Sequence, residues 1–442
     1  MYKQNNMSIF GKLNYYSLVI SGFTIPFEQI KPFINLRISD LFLLFALLFA
    51  FIDIFMGKKV SKNRINSFPF FIPSIFILIG GILSSFGPYN SNIARSLLEL
   101  LKAIFVFLSL PFLYSYSFIT QEQKYTILKS FVLGIAISCS IAIIDKNFST
   151  NIGPLFNMNS AQIPGYGHAG RYRGVTNHPN SQGLLAALGI PLNIGFLLYY
   201  RKRITKWFGF AFLSIITFYG LLLSGSVSAL MSFVFYIFTF VILHKFMIGK
   251  PKKNLISAIA LLIVFLAIIF LSFLFISNNN INKIIEPILV SLNQNPNFSR
   301  VINTTFRLRL LANQFAINEF LNHPFIGYGM DVRYQTLSPP FVDFEGSTSV
   351  HNTILLSTLG GGVFVGIGYI LIYVISSTIM VKAIQKWDNG FNNPVFVFLS
   401  LSILIFIFFD MAQSNTHVRI SWMFVSIVYS WSKDVELSLG SR

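Results

Sequence analysis

Gly346-Ser347-Thr348-Ser349-Val350-His351-Asn352 closes a polar interval that opens near Ser277, and the residues behind it, Thr353 to Val381, return to an apolar run. That change of solvent decides how the chain is read, because nearly everything outside this interval and one shorter polar loop is membrane-like. The shorter loop holds Gly170-Arg171-Tyr172-Arg173-Gly174-Val175-Thr176-Asn177-His178-Pro179-Asn180. Chemistry that needs polar groups has only these two places to reside. Of the 442 residues, 54% are hydrophobic and 11% charged, with mean hydropathy +0.66. That leaves too little polar surface for a soluble protein of this size, so the composition indicates an integral membrane protein.

A helix needs about 20 mainly apolar residues to cross a bilayer, and that criterion gives twelve segments. They centre on Tyr15 to Phe27, Ile38 to Met56, Phe68 to Phe86, Leu98 to Tyr114, Ile127 to Ile144, Ser181 to Tyr200, Phe208 to Leu223, Val227 to His244, Leu255 to Ile276, Thr353 to Val381, Val395 to Ala412 and Ile420 to Trp431. The expected architecture is an all-α integral membrane protein of about 12 transmembrane helices. Residues 1–276 carry the first nine helices and a short outer loop at 146–180, residues 277–350 form a long outer loop, and residues 351–442 hold the last three helices and a tail. The first segment lacks a small-residue cleavage site and reads as a retained helix.

Basic residues set the expected orientation. With the N-terminus cytoplasmic, inner connections receive Lys58, Lys59, Lys62 and Arg64, then Arg201, Lys202, Arg203 and Lys206, then Lys245, Lys250, Lys252 and Lys253, then Lys382 and Lys386. The short outer connections are nearly free of charge, as the positive-inside rule requires. Both termini then lie in the cytoplasm and both polar loops outside. Those loops are nevertheless basic, with Arg171, Arg173, Lys283, Arg300, Arg307, Arg309 and Arg333. A demand for an anionic ligand accounts for this better than topology does. The formal charge of +18 is explained by the same two causes and does not call for nucleic acid. Cys139, the single cysteine, lies in an apolar run and excludes an internal disulfide or a cysteine-based metal site. No His or carboxylate spacing suggests a metal, and no cofactor is expected.

Within the long loop, Phe306, Leu310, Ile317 and Leu321 fall near helical spacing, and Asn322-His323-Pro324 ends the pattern. It reads as an amphipathic helix on the outer membrane surface. Arg307 and Arg309 are about 200° apart around it, so one faces a ligand and the other the surface. His351 is expected in the first turn of the next helix, with Ser347, Thr348 or Ser349 as N-cap. There the helix dipole and nearby arginines favour a neutral imidazole, the form a general base needs. The plainer alternative is that His351-Asn352 only caps the helix. In the short loop, Asn180 or Ser181 would cap a helix starting Ser181-Gln182-Gly183, so that Arg171 and Arg173 approach backbone N–H groups suited to an anion, or simply meet lipid headgroups. Gly360-Gly361-Gly362 and Gly366 read as a close helix packing surface. Asp410, an acid near hydrocarbon, is expected to pair with an arginine such as Arg419.

The order and spacing of these pieces resemble the O-antigen ligase and O-antigen polymerase superfamily of bacterial polytopic membrane glycosyltransferases. An Arg-x-x-Gly-x4-Pro-Asn motif is matched by Arg171, Gly174, Pro179 and Asn180. An Arg about fifteen residues before a Pro-x-x-Gly-x-Gly turn is matched by Arg309, Pro324, Gly327 and Gly329, and a His-Asn-x9-Gly motif by His351, Asn352 and Gly362. Asn313 stands where an aromatic residue is usual, Gly361 where an acid is, and the second glycine falls one place late at Gly366. The resemblance implies an O-antigen ligase-like enzyme of the bacterial cytoplasmic (inner) membrane. It would move a glycan from a polyprenyl (undecaprenyl) diphosphate carrier to an acceptor hydroxyl of lipid A-core type on the periplasmic face, in lipopolysaccharide or other polysaccharide biosynthesis. A polymerase of the same superfamily acting on a lipid-linked or glycan acceptor is the alternative, followed by a polysaccharide transporter or a non-catalytic scaffold. By similarity His351 is the base and Arg171 and Arg309 hold the diphosphate, with Arg173 and Arg307 as second choices and Asn352, Asn180 and Asp410 supporting.

Orientation is directly testable in a background lacking Cys139. Single cysteines placed at Asn177 and Ser347 should react with a membrane-impermeant thiol reagent in intact cells, and one at Lys252 should not; reversed labelling would place both loops inside.

Overall fold

A computed structural model describes residues 8–27, 37–56, 70–116, 120–148, 171–176, 178–247, 308–332, 350–388, 393–412 and 422–431. Regular structure among them is entirely helical. The helices are α1 (Ile9–Thr24), α2 (Ile38–Phe55), α3 (Phe71–Ser85), α4 (Ile93–Ile104), which runs through a π-turn at Phe105–Ser109 into α5 (Leu110–Tyr116), α6 (Gln121–Phe148), α7 (Pro179–Tyr199), α8 (Ile204–Ser224), α9 (Val227–Met247), α10 (Leu308–Asn322), α11 (Thr353–Asp388), α12 (Pro394–Ala412) and α13 (Trp422–Trp431). Seven stretches among them are long and apolar enough to cross a membrane, and Phe71–Ser85, Val227–Val241 and Trp422–Trp431 are shorter apolar helices. The expected segment Leu255 to Ile276, most of the long interval and Arg307 lie outside the described residues.

α7 and α12 form the buried spine. Gly195, near the end of α7, lies against Pro394 and Val395 at the start of α12, so the two helices run antiparallel. Pro179 to Gly195 and Val395 to Met411 are each 16-residue steps, about 24 Å of helix, which sets the start of α7 level with the end of α12. α9 also runs antiparallel to α12, pairing Phe235 with Phe408 and Phe240 with Phe398. The opposite end is tied by Asn393 Nδ2 donating to Tyr125 Oη at 2.7 Å and by Lys124 over the Trp431 ring.

The 36-residue α11 is not one straight rod. Gly362 has φ 70° and ψ −170°, and the chain reverses there. Thr353 hydrogen-bonds the side chain of Tyr373, twenty residues on, where a continuous helix would separate them by about 30 Å. A Cβ on Gly366 would also lie 2.5 Å from Thr358 Oγ1. Residues 353–361 and 363–388 are therefore two antiparallel arms with Gly362 at the apex. The sequence expectation of a single span from Thr353 is corrected accordingly. The close-packing role expected of the glycines survives at Gly361, whose carbonyl oxygen lies 2.7 Å from where a Gly80 Cβ would stand. Gly362 instead supplies a conformation open only to glycine.

A break in a helix frees backbone groups that a buried site must satisfy. Here the turn after α10 does so. Tyr328 N–H donates to Leu359 O at 3.0 Å, Gly329 N–H to Gly360 O at 2.8 Å, and Val363 N–H to Pro324 O at 2.7 Å. Ala316 packs with Val350, Leu355, Leu356 and Leu359 beside it. α10 thus buries Ala312 and Ala316 against α11, with Ile317 packed on the same cluster as expected, while Leu321, expected on the apolar face, is 65% exposed.

Alanine at Gly362 would force an L side chain into this conformation and place Cβ 2.3 Å from Phe325 O. A cost of at least about 2 kcal/mol is expected, read as a drop of several degrees in thermal stability in detergent, whereas Gly209→Ala, whose Cβ would meet nothing within 4 Å, should leave it unchanged.

Candidate functional site

The short loop enters α7 through a cap that differs from the one expected. The helix begins at Pro179, and His178 is its N-cap, its Nδ1 accepting from Asn180 N–H at 3.0 Å. Pro179 lacks an N–H and has φ fixed for a first helical turn, which moves the start two residues earlier than Ser181. Asn180 is thereby released from capping. Its Oδ1 accepts from an Nη of Arg171 at 2.6 Å, while Arg171 Nε donates to Ser224 O at 2.9 Å, at the C-terminal end of α8.

Among the described residues, two of the five guanidinium donors of Arg171 are thus spent on position. Burial lowers the Arg171 pKa from its ordinary value, and does the same at Arg173. Among the described residues the side-chain partners of Arg171 are neutral acceptors. A partly desolvated cation braced by neutral groups is arranged to receive an anion. The backbone of Arg173 is fixed in a turn, since Thr176 N–H and Oγ1 both donate to Arg173 O.

Ser138, which the sequence did not single out, holds this loop together with Gln182 and Cys139. Ser138 Oγ on α6 accepts from Val175 N–H at 3.2 Å and donates to Gln182 Oε1 at 2.7 Å; Gln182 Nε2 in turn donates to Cys139 Sγ at 3.1 Å. All three side chains are fully buried. Buried polar groups in an apolar bundle are satisfied by one another, and here that requirement pins Val175, four residues from Arg171. A glutamine and a serine inside otherwise apolar segments were the available signal.

At the second motif the N-cap is Asn352, not a serine or threonine of 347–349. Its Oδ1 accepts from Leu355 N–H at 2.9 Å and its carbonyl from Leu356 N–H at 2.9 Å. Asparagine is among the best N-caps, so the helix starts at Thr353 and His351 stands one residue outside it, partly buried. Asn352 Nδ2 reaches Met411 O at 3.3 Å on α12. Next to it, Asp410 Oδ2 accepts from Tyr373 Oη at 2.7 Å. Tyr373 is thus one neighbour of Asp410; Arg419, the arginine expected to pair with it, lies outside the described residues.

The start of α7, the end of α8 and the end of α12 share one end of the bundle, so Arg171, Asn180, His351, Asn352 and Asp410 gather there. Arg309 sits in the first turn of α10. The C-terminal end of α10 is fixed at the Gly362 apex and Ala316 lies among the residues of the 353–361 arm. α10 therefore runs beside that arm and carries Arg309 toward the His351 end.

Residues 212–370 match a family described as O-antigen ligase. The match begins within α8 and ends in the second arm of α11, taking in α10, His351, Asn352 and Gly362, while Arg171, Arg173 and Asn180 precede it and Asp410 follows. No curated protein matches the chain.

If Asn180 positions Arg171 for an anion, Asn180→Ala should weaken donor binding about tenfold, the worth of one hydrogen bond to a charged group. Asn180→Asp should be worse than alanine, because a carboxylate on Arg171 competes with the substrate. Donor KM in a transfer assay measures both, and an aspartate variant equal to wild type would contradict the reading.

Proposed function

We propose, from the premise that residues 212–370 form a domain of the O-antigen ligase superfamily, that this chain transfers a glycan from a polyprenyl diphosphate carrier to an acceptor hydroxyl on the outer face of the bacterial cytoplasmic membrane. The family match supports a membrane enzyme of ligase or polymerase type. The observation that carries the reading is Arg171, partly desolvated and held by neutral acceptors, at the bundle end that also presents His351.

In the proposed reaction the acceptor oxygen attacks the anomeric carbon and the bond from that carbon to the diphosphate oxygen breaks. The diphosphate departs with the electron pair. Its growing charge is stabilised by Arg171 and Arg309, or by Arg173 and Arg307, as preorganised cationic donors. His351 takes the proton of the acceptor hydroxyl. Asn352 fixes the backbone beside His351 by capping the first arm and holding Met411. Asp410 supports the same corner through Tyr373. The energy comes from loss of the activated diphosphate linkage, so no nucleotide or cofactor is required.

A ligase and a polymerase share this chemistry and differ in whether the acceptor is a lipid A-core or a growing glycan. A transporter would use a broken helix such as α11 to expose backbone groups to its cargo. Here the Leu359 and Gly360 carbonyls and the Val363 N–H are engaged by the 324–329 turn, which favours transfer.

His351→Ala should leave protein in the membrane at normal level and reduce transfer by at least about 100-fold, the usual weight of a general base, with carrier-linked glycan accumulating. Arg171→Lys and Arg309→Lys should each lose at least about tenfold because lysine keeps the charge without the fork. Purified protein should transfer glycan in excess chelator. Activity abolished by EDTA and restored by Mg²⁺ would overturn the use of arginines in place of a cation, and normal product from His351→Ala would reduce His351 to a neighbour of the cap.

A further inference from the structure

The 324–329 turn is held from a second side by residues outside the family-matched stretch. Met330 N–H donates to Ser96 Oγ at 2.7 Å, and Ser96 Oγ shares a hydrogen bond of 2.8 Å with Ser85 Oγ. Both serines are fully buried. Asn90 Nδ2 donates to Ser85 O at 2.6 Å, and Asn90 Oδ1 lies 2.7 Å from the point where a Gly329 Cβ would stand. Tyr89 stacks on His323 with ring centroids 3.8 Å apart. Gly87 packs on Ile326. The connection between α3 and α4 therefore grips the same turn that fills the break in α11.

We propose that this turn, clamped between the α11 apex and Ser96, is the fixed bearing of a lever formed by α10, and that Ser96, Asn90 and Gly327 are positioning residues that set Arg309 relative to His351. Arg309 is 13 residues from Asn322, about 20 Å along the helix. A swing of about 10° at the bearing would move it by about 3 Å, and misplacement by about 1 Å is enough to cost about 100-fold in rate. Gly327, at φ 68° and with a would-be Cβ 2.5 Å from Gly360 O, is what allows the turn to enter the break so closely. Ser96 adds a single acceptor at the other side, so its loss should loosen the bearing without dismantling it.

The inference rests on the proposed role of Arg309 and is tested in two ways that fail separately. In the full chain in membranes, an Ala316→Cys, Leu356→Cys pair should cross-link under mild oxidation, with buried Cys139 retained; this reads the seating of α10 with no reference to activity. Adding Ser96→Ala or Asn90→Ala should lower cross-link yield severalfold, Gly327→Ala should lower it further, and Ser96→Thr, which keeps the hydroxyl, should restore it relative to Ser96→Ala. In the transfer assay, Ser96→Ala should reduce kcat at least about fivefold. Combined with Arg309→Lys it should add less than about twofold to the loss from Arg309→Lys alone, since both act through one guanidinium. Unchanged cross-linking in Ser96→Ala and Asn90→Ala, or fully multiplicative losses with Arg309→Lys, would overturn the proposal. An Arg309→Lys enzyme of normal activity with the cross-link still dependent on Ser96 would instead overturn the diphosphate role of Arg309 and leave the bearing as a structural clamp.

Discussion

Three backbone hydrogen bonds across the Gly362 break hold together what the sequence keeps apart. The carbonyls of Leu359 and Gly360 and the N–H of Val363 would be stranded in an apolar surrounding, each unmet group costing on the order of 1–3 kcal/mol. The turn from Pro324 to Gly329 satisfies all three. Glycine is required on both sides of the contact, at Gly362 for the reversal and at Gly327 for the approach. Once the exchange is made, α10, the first arm of α11 and the N-cap at Asn352 form one unit, and the direction of α10 follows.

The other half of the site is built on a different principle. Arg171 sits where an α-helix begins and another ends, anchored by the Asn180 amide and the Ser224 carbonyl. Ser138 and Gln182 brace the backbone behind it through a buried chain of polar contacts that ends on Cys139. Side-chain chemistry fixes this half, whereas backbone exchange fixes the other. The second half is also tied to the end of α12, where Met411 O receives Asn352 and Asp410 receives Tyr373.

The helical class, the positions of most apolar segments, the α10 helix and its stop at Asn322 were legible from hydropathy and from the Asn-His-Pro sequence. So were the residues that gather at one end of the bundle, because polar and basic residues between apolar segments are costly unless used. Cap positions were misread by two to five residues, since Asn352 and His178 compete well with neighbouring serine, threonine and asparagine and only geometry decides between them. The reversal at Gly362 escaped because periodicity carries no information about a break whose freed groups are met by a turn more than thirty residues upstream. Tyr373 as a partner of Asp410 was not legible either, because a tyrosine hydroxyl can meet a carboxylate as an arginine can, and hydropathy does not distinguish them.

The apex of α11 also imposes an order on synthesis. Among the described residues, the groups that meet the break, from Pro324 to Gly329, and the residues from Ser85 to Ser96 that grip that turn precede Gly362 in the chain. The reversal can therefore close as soon as its second arm is made. The contacts beside His351 run the other way, because Met411 and Asp410 are translated some fifty residues later. During biogenesis the scaffold that aims α10 is complete while the corner that holds His351 is still open, so a chain arrested after Asp388 would possess the frame of the site without its floor.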